Sequence, residues 1–212
     1  MSALALRGIH AVDRLRFALF RRRHGQALRI DGRVSPHLRL ARLRVEPGGR
    51  VEIANGFATE RQRGNHLWIG AGACLSLGER AWLRTEYGPN HITLFAGARV
   101  SIGPDALING AMIHAKREIS IGCEARLAFG VRILDADLHD LDCETPERVD
   151  PVRIGDRVWI GADAMVVRGV TIGDDVVVGA GSIVTRDLPP RCLALGRPAR
   201  PVREIARRTG TR

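Results

Sequence analysis

One histidine of this chain stands among acids. His139 lies in the stretch LDADLHDLD, with Asp135 and Asp137 before it and Asp140 and Asp142 after it. An imidazole titrates close enough to neutral pH to take a proton and return it, and a neighbouring carboxylate can hold its tautomer. Asp137 or another of these four acids could do so, and spacing does not choose among them. A solvated histidine in an acidic loop is the plainer alternative. Asn109, in LINGAMI, interrupts an apolar run, and a buried amide there must find a partner, either a ligand or the backbone of a turn. Toward the other end of the chain, residues 186–212 hold eight arginines. A guanidinium suits phosphate because it offers a planar fork of donors, although any one arginine is more often solvated surface charge.

Metal chemistry finds little support. The seven histidines are scattered without a close pair, so no metal site is expected. The four cysteines, Cys74, Cys123, Cys143 and Cys192, form no C-x-x-C pair and fit the reduced thiols of a cytoplasmic protein.

These residues must be positioned by the stretch 152–190. There Ile154, Ile160, Val166, Ile172, Val178 and Val184 recur every six residues, with small or β-branched residues at Val158, Ala164, Val170, Val176 and Ser182. That is neither the strand period nor the helix period. A short repeat held over several units means one small element stacked on copies of itself. Weaker units appear at Ala96, Ile102 and Ile108 and at Ile121, Leu127 and Ile133, whereas residues 26–63 read as irregular first coils punctuated by Pro36, Pro47, Gly48 and Gly49. From Ile133 to Ile154 the register jumps, so the segment around 134–151, which carries His139, is expected to project from the stack as a loop. After Asp187 the repeat ends at Pro189 and Pro190, and a short C-terminal helix is expected within 191–212, begun by Pro201 and burying Val202, Ile205 and Ala206.

Charge is placed unevenly along the 212 residues. The net +10 concentrates at the ends: residues 1–44 hold eleven Arg against Asp13 and Asp31, and residues 186–212 hold eight Arg against Asp187 and Glu204. Residues 1–25 read as a basic amphipathic helix, too often interrupted by arginine to be a signal peptide or a spanning segment. It either caps the stack or packs on a neighbouring subunit, or else it lies on an anionic membrane at the inner face. No nucleic-acid partner is expected.

The repeat, written IGDRVW-IGADAM-VVRGVT-IGDDVV-VGAGSI, resembles the hexapeptide repeat of the left-handed parallel β-helix. With the tail GAGSIVTRDLPPRCLALGRPARPVREI it is similar to the hexapeptide acyltransferases, in particular the sugar and polysaccharide O-acetyltransferases. The resemblance covers roughly residues 94–205 and is strongest from 152 onward. It implies an all-β fold with the β-helix over 26–190, three hexapeptides to a coil, the aliphatic inward and the small residue at the corner. It implies acetyl-CoA as acyl donor, His139 as general base, and Asn109 as a contact to the acceptor or to the developing oxyanion. It carries donor binding to Ala162, Ala180, Thr185, Arg186, Arg200 and Arg203, with Arg186 standing where many relatives have Lys. Trp159 is expected outside the prism, lining the donor groove or a subunit contact. It also implies a homotrimer acting on a free or lipid-linked glycan hydroxyl. N-acylation of an amino sugar, a non-catalytic scaffold and a carbonic-anhydrase-like protein of the same fold stand as alternatives; the last wants two histidines close in sequence, a pairing absent here.

Overall fold

A computed structural model describes residues 3–60 and 64–208. The chain forms a left-handed parallel β-helix with three flat sheets. Sheet 1 has seven strands, from Leu28–Ile30 to Thr171–Ile172; sheet 2 has seven, from Arg42–Val45 to Ile183–Val184; sheet 3 has eight, from Ala58–Thr59 to Ala199–Glu204. From the second coil onward each coil visits sheet 1, then sheet 3, then sheet 2.

The sixfold aliphatics point inward, as their spacing predicts. Ile160, Val166, Val178 and Val184 are fully buried, and Ala164, Val176 and Ser182 fill the corners. Burying each such aliphatic contributes on the order of 1.5–3 kcal/mol. Ile154 pairs with Ile172, a coil of 18 residues, or three hexapeptides. Earlier coils are longer: Val51 pairs with Leu75 and Leu75 with Val100, spacings of 24 and 25 residues. On sheets 1 and 2 their strands have four or five residues, with inward and outward residues alternating as in Asn65–Ile69, which explains why the six-residue signal fades toward the N-terminal side.

The helix α1 spans Ala3–His24, with Arg21, Arg22 and Arg23 in its last turn, where the helix dipole favours cations. The side chains of Leu4 and Ile9, counted toward its apolar face in the sequence, lie outside the described residues, as do residues 209–212 of the tail. Phe17 and Phe20 pack against the core of the first coil, and Asp13 pairs with Arg39 of the short 3₁₀ turn Pro36–Leu40.

The expected C-terminal helix is corrected. Cys192–Gly196 adds one more parallel strand to sheet 3 beyond the two prolines, and Ala199–Glu204 returns antiparallel to it. Pairing of Leu193 and Ala194 with Val177 and Val178 continues the ladder. It leaves the returning strand at the edge, where Pro201 is tolerated because no further strand needs its missing N–H. Val202, expected on a buried helix face, is 56% exposed.

Candidate active site

The register jump is a loop of residues 135–151 at the edge where sheet 2 turns into sheet 1. It is an ordered hairpin. Ala136 bridges Val149, and the Asp137 and Asp150 N–H groups donate to the Arg148 and Asp135 carbonyls. Asp135 is fully buried, and its carboxylate accepts the backbone N–H groups of Lys116, Arg117 and Glu118 at 2.7, 2.8 and 2.7 Å. The coils on either side clamp the loop. Lys116, the only lysine in the chain, reaches Glu147 at 2.7 Å from one coil, and Arg168 reaches Asp137 at 2.7 Å and Asp150 at 2.9 Å from the other. The hydrogen bond from Arg168 holds the Asp137 carboxyl below the usual carboxylate range.

His139 sits exposed at the head of this hairpin, and its ring makes no hydrogen bond among the described residues. The four acids around it are engaged elsewhere. Asp135 holds backbone, Asp137 meets Arg168, Asp140 caps the Glu147 N–H, and Asp142 caps Glu144 and Thr145. Leu138, directly before the histidine, has φ 72°, a costly conformation for a branched side chain. Its N–H donates to Glu147 at 2.8 Å, and the residue turns the backbone just where His139 projects. Positive φ values elsewhere among non-glycine residues fall at prism corners, so this outlier marks the loop as built to present something.

Asn109 ends the strand Leu107–Asn109 at the next edge, between sheets 3 and 2. It is 8% exposed, and its Oδ1 is buried without a hydrogen-bond partner among the described residues. Turn-satisfying work falls to another amide: Asn90 donates to the Arg84 carbonyl and to Asn65 and accepts from the Ala111 N–H. Asn109 faces a recess of about 320 Å³ on the outer side of sheet 3, lined also by Leu107, Arg126, Ala128, Trp159 and Arg208. Trp159 is outside the prism and 47% exposed, with the Arg208 guanidinium 5.7 Å over its ring. Arg208 is held there by its N–H to Asp175 and its Nη1 to the Arg157 carbonyl, and burial, then Arg126, push its pKa down.

From this recess one row runs along the outside of sheet 3. Register carries it from Leu107 through Arg126, Trp159, Val177 and Leu193 to Arg203. At about 4.8 Å per strand the row is roughly 24 Å long. Asn109 with its orphan acceptor lies beside one end, Arg126 comes next, Trp159, Val177 and Leu193 follow, and Arg203 stands at the other end. Ala162 and Ala180 stack beside it on the edge between sheets 3 and 2, where the Gly181 N–H donates to the Ala162 carbonyl at 2.7 Å. A side chain on Gly161 would meet the Ala180 backbone, so small residues keep this edge low. Arg200 lies on the last strand, exposed, and donates to the Ala199 carbonyl. Thr185 and Arg186 are exposed on the edge that bears His139.

Within one chain, therefore, Asn109, Ala162, Ala180, Arg200 and Arg203 gather about sheet 3, while His139, Asp137, Thr185 and Arg186 lie across sheet 2 from them. Lys116, Arg168, Arg126 and Arg208 are additions that sequence reasoning missed. Ile133 is in register with Val166, so Arg168 is the coil equivalent of Asp135, a relation that only the fold shows. No group of three or more metal-ligating side chains occurs among the described residues.

Comparison with known proteins places this architecture. A profile of the hexapeptide repeat of succinyl-transferase matches residues 151–186. The chain is 45% identical over 112 residues to nodulation protein L of Rhizobium meliloti, covering 49% of this chain and 59% of that protein. It is 35% identical over 135 residues to the galactoside O-acetyltransferase of Escherichia coli, covering 61% and 64%. The chain thus spans less than two thirds of the length of these curated relatives. Among solved structures, a maltose O-acetyltransferase from Clostridium difficile is 34% identical with a TM-score of 0.55, covering 62% of this chain and 70% of that one. A hexapeptide-repeat acetyltransferase from Vibrio cholerae is 31% identical with a TM-score of 0.54, covering 61% and 73%.

Proposed function

The chain belongs to the hexapeptide-repeat acyltransferase family, and on that premise we propose that it transfers an acetyl group from acetyl-CoA to a hydroxyl of a sugar or polysaccharide precursor. The row on sheet 3 carries this reading. A CoA thioester is a long amide-bearing arm with phosphates at one end and the reactive carbonyl at the other. Arg200 and Arg203 suit the phosphates, Val177, Trp159 and the low edge at Ala162 and Ala180 suit the arm, and Asn109 awaits a donor where the thioester would end. Named sugar O-acetyltransferases among its relatives support the same chemistry.

In this reading His139 takes the proton of the acceptor hydroxyl as its oxygen attacks the thioester carbonyl. The resulting imidazolium returns the proton to the departing CoA thiolate, so the base is restored. Asn109 Oδ1 accepts a hydrogen bond from the acceptor, while its amide hydrogens are available to the developing oxyanion. Asp137 acts through Arg168 as a positioning residue for the loop. Because His139 and Asn109 occupy opposite edges of sheet 2, we take the working unit to be a homotrimer in which the loop of one copy meets the row of the next. The acyl-CoA donor places the reaction where acyl-CoA is made, inside the cell.

The test is thiol release from acetyl-CoA across a panel of sugars, amino sugars and glycan precursors. Acceptor-dependent release with an acetyl ester as product is expected. Release with no acceptor preference, or none with any sugar, would refute the reading, and an amide product would move it to N-acetylation.

A further inference from the structure

We propose that α1 is a docking surface for anionic lipid, through a stripe that the fold leaves uncovered. The inference is independent of the transferase reading. At 100° per residue, Asp13, Phe17, Phe20 and His24 share one side of the helix, and this side faces the first coil, through Arg39 and the core. Val12, Leu15 and Leu19 share a second side, turned roughly 150° away. They are 47, 64 and 57% exposed, although nothing about solubility favours three large aliphatics in line on a surface. Arg16 and Arg23 border this stripe on one flank and Arg22 on the other, with Arg14 and Arg21 beyond, all exposed. The helix's one acid, Asp13, is consumed by Arg39, so no carboxylate of α1 offsets them.

Charge decides the occupant. A second copy laid on this stripe would bring five arginines against five, and three aliphatic side chains cover far less than a stable protein interface requires. A bilayer surface of anionic lipid is complementary on both counts. It takes the aliphatics at the boundary of headgroups and acyl chains and the guanidiniums among the phosphates. No helix among the described residues is long and apolar enough to cross a membrane, so the contact is a peripheral one. The Asp13 and Phe17 side keeps the β-helix attached while the opposite side lies flat on the lipid.

Co-sedimentation of the full chain with vesicles tests this, comparing mixed phosphatidylglycerol and phosphatidylcholine with phosphatidylcholine alone. Each arginine near the surface strengthens binding by about fivefold at low salt. Binding to the anionic vesicles only, weakened by added salt, is expected. The double variant Leu15→Asp with Leu19→Asp should weaken it by at least about tenfold at unchanged melting temperature, since both residues are exposed. Absence of binding to the anionic vesicles would overturn the proposal, as would binding unaffected by the double variant. So would a larger assembly without lipid that the double variant dissolves, because a second copy would then own the stripe.

Discussion

Asp135 offers a sharp test of how the loop is held, because structure and sequence suggest different work for it. In the sequence it is one of four acids that could orient His139. In the fold it is fully buried, with one oxygen on the Lys116 N–H and the other on those of Arg117 and Glu118. Asp135→Asn keeps the shape and leaves no cavity, but an amide has one accepting oxygen. Its carbonyl can keep two donors, now as neutral bonds of about half the strength. Its NH₂ must then face the third N–H, so one charge-assisted bond of about 1.5–3 kcal/mol is lost and a buried donor is left unpaired. The sum is on the order of 3–5 kcal/mol. For a chain of this size each kcal/mol moves Tm by about 2–4 °C, so thermal unfolding followed by circular dichroism should shift down by on the order of 10 °C. A Tm within about 2 °C of wild type, with lowered turnover alone, would refute the structural role and return Asp135 to the list of His139 partners.

Four further outcomes follow from the same geometry. Arg168→Ala removes the clamp on Asp137 and Asp150 and should lower kcat by up to roughly 10²-fold, the cost of a misplaced group, with little change in CoA affinity; unchanged kcat would show that the clamp does not position the loop. Arg203→Ala or Arg200→Ala should weaken CoA binding by about 1.5–3 kcal/mol, or roughly 10- to 150-fold by calorimetry, with a milder effect on kcat. Gly110→Ala puts a side chain at φ 65° and against the Phe129 ring, and should cost about 1–2 kcal/mol or more while disturbing Asn109 beside it; a neutral Tm contradicts this. On sheet 2, burial and then His91 lower the pKa of His114, and burial, His91 and Arg42 lower that of His66. The unfolded chain then binds protons at a higher pH than the native one, so stability is full above about 6.5 and falls as pH drops through it. His114→Gln should flatten this acid limb in a Tm series across pH.

Much of the scaffold was legible because the prism reads out directly as spacing. Each hexapeptide must place one aliphatic inside, so Ile154 to Val184 announce the coil, and the 21-residue interval from Ile133 announces the loop. The first coils were less legible because their strands are longer and the period is diluted. The tail was misread because Pro201 and Val202 satisfy a helix's first turn as well as an edge strand; only pairing of Leu193 with Val177 decides, and that contact is not local. At the site, His139, Asn109 and Trp159 stood out by residue type. The partners of the loop acids did not, since Lys116 and Arg168 meet them across coils, 31 residues away in two of the pairs. Nor could a linear reading separate the residues gathered about sheet 3 from those on the far edge of sheet 2.

The central claim is that His139 is the base and the row on sheet 3 is the donor site. It is tested most directly by measuring acceptor-dependent thiol release and CoA affinity together in wild type and His139→Ala. A fall in kcat of roughly 10²–10⁴-fold, the usual worth of a positioned base, with CoA affinity and Tm unchanged is the predicted result. Full turnover in His139→Ala would contradict the assignment.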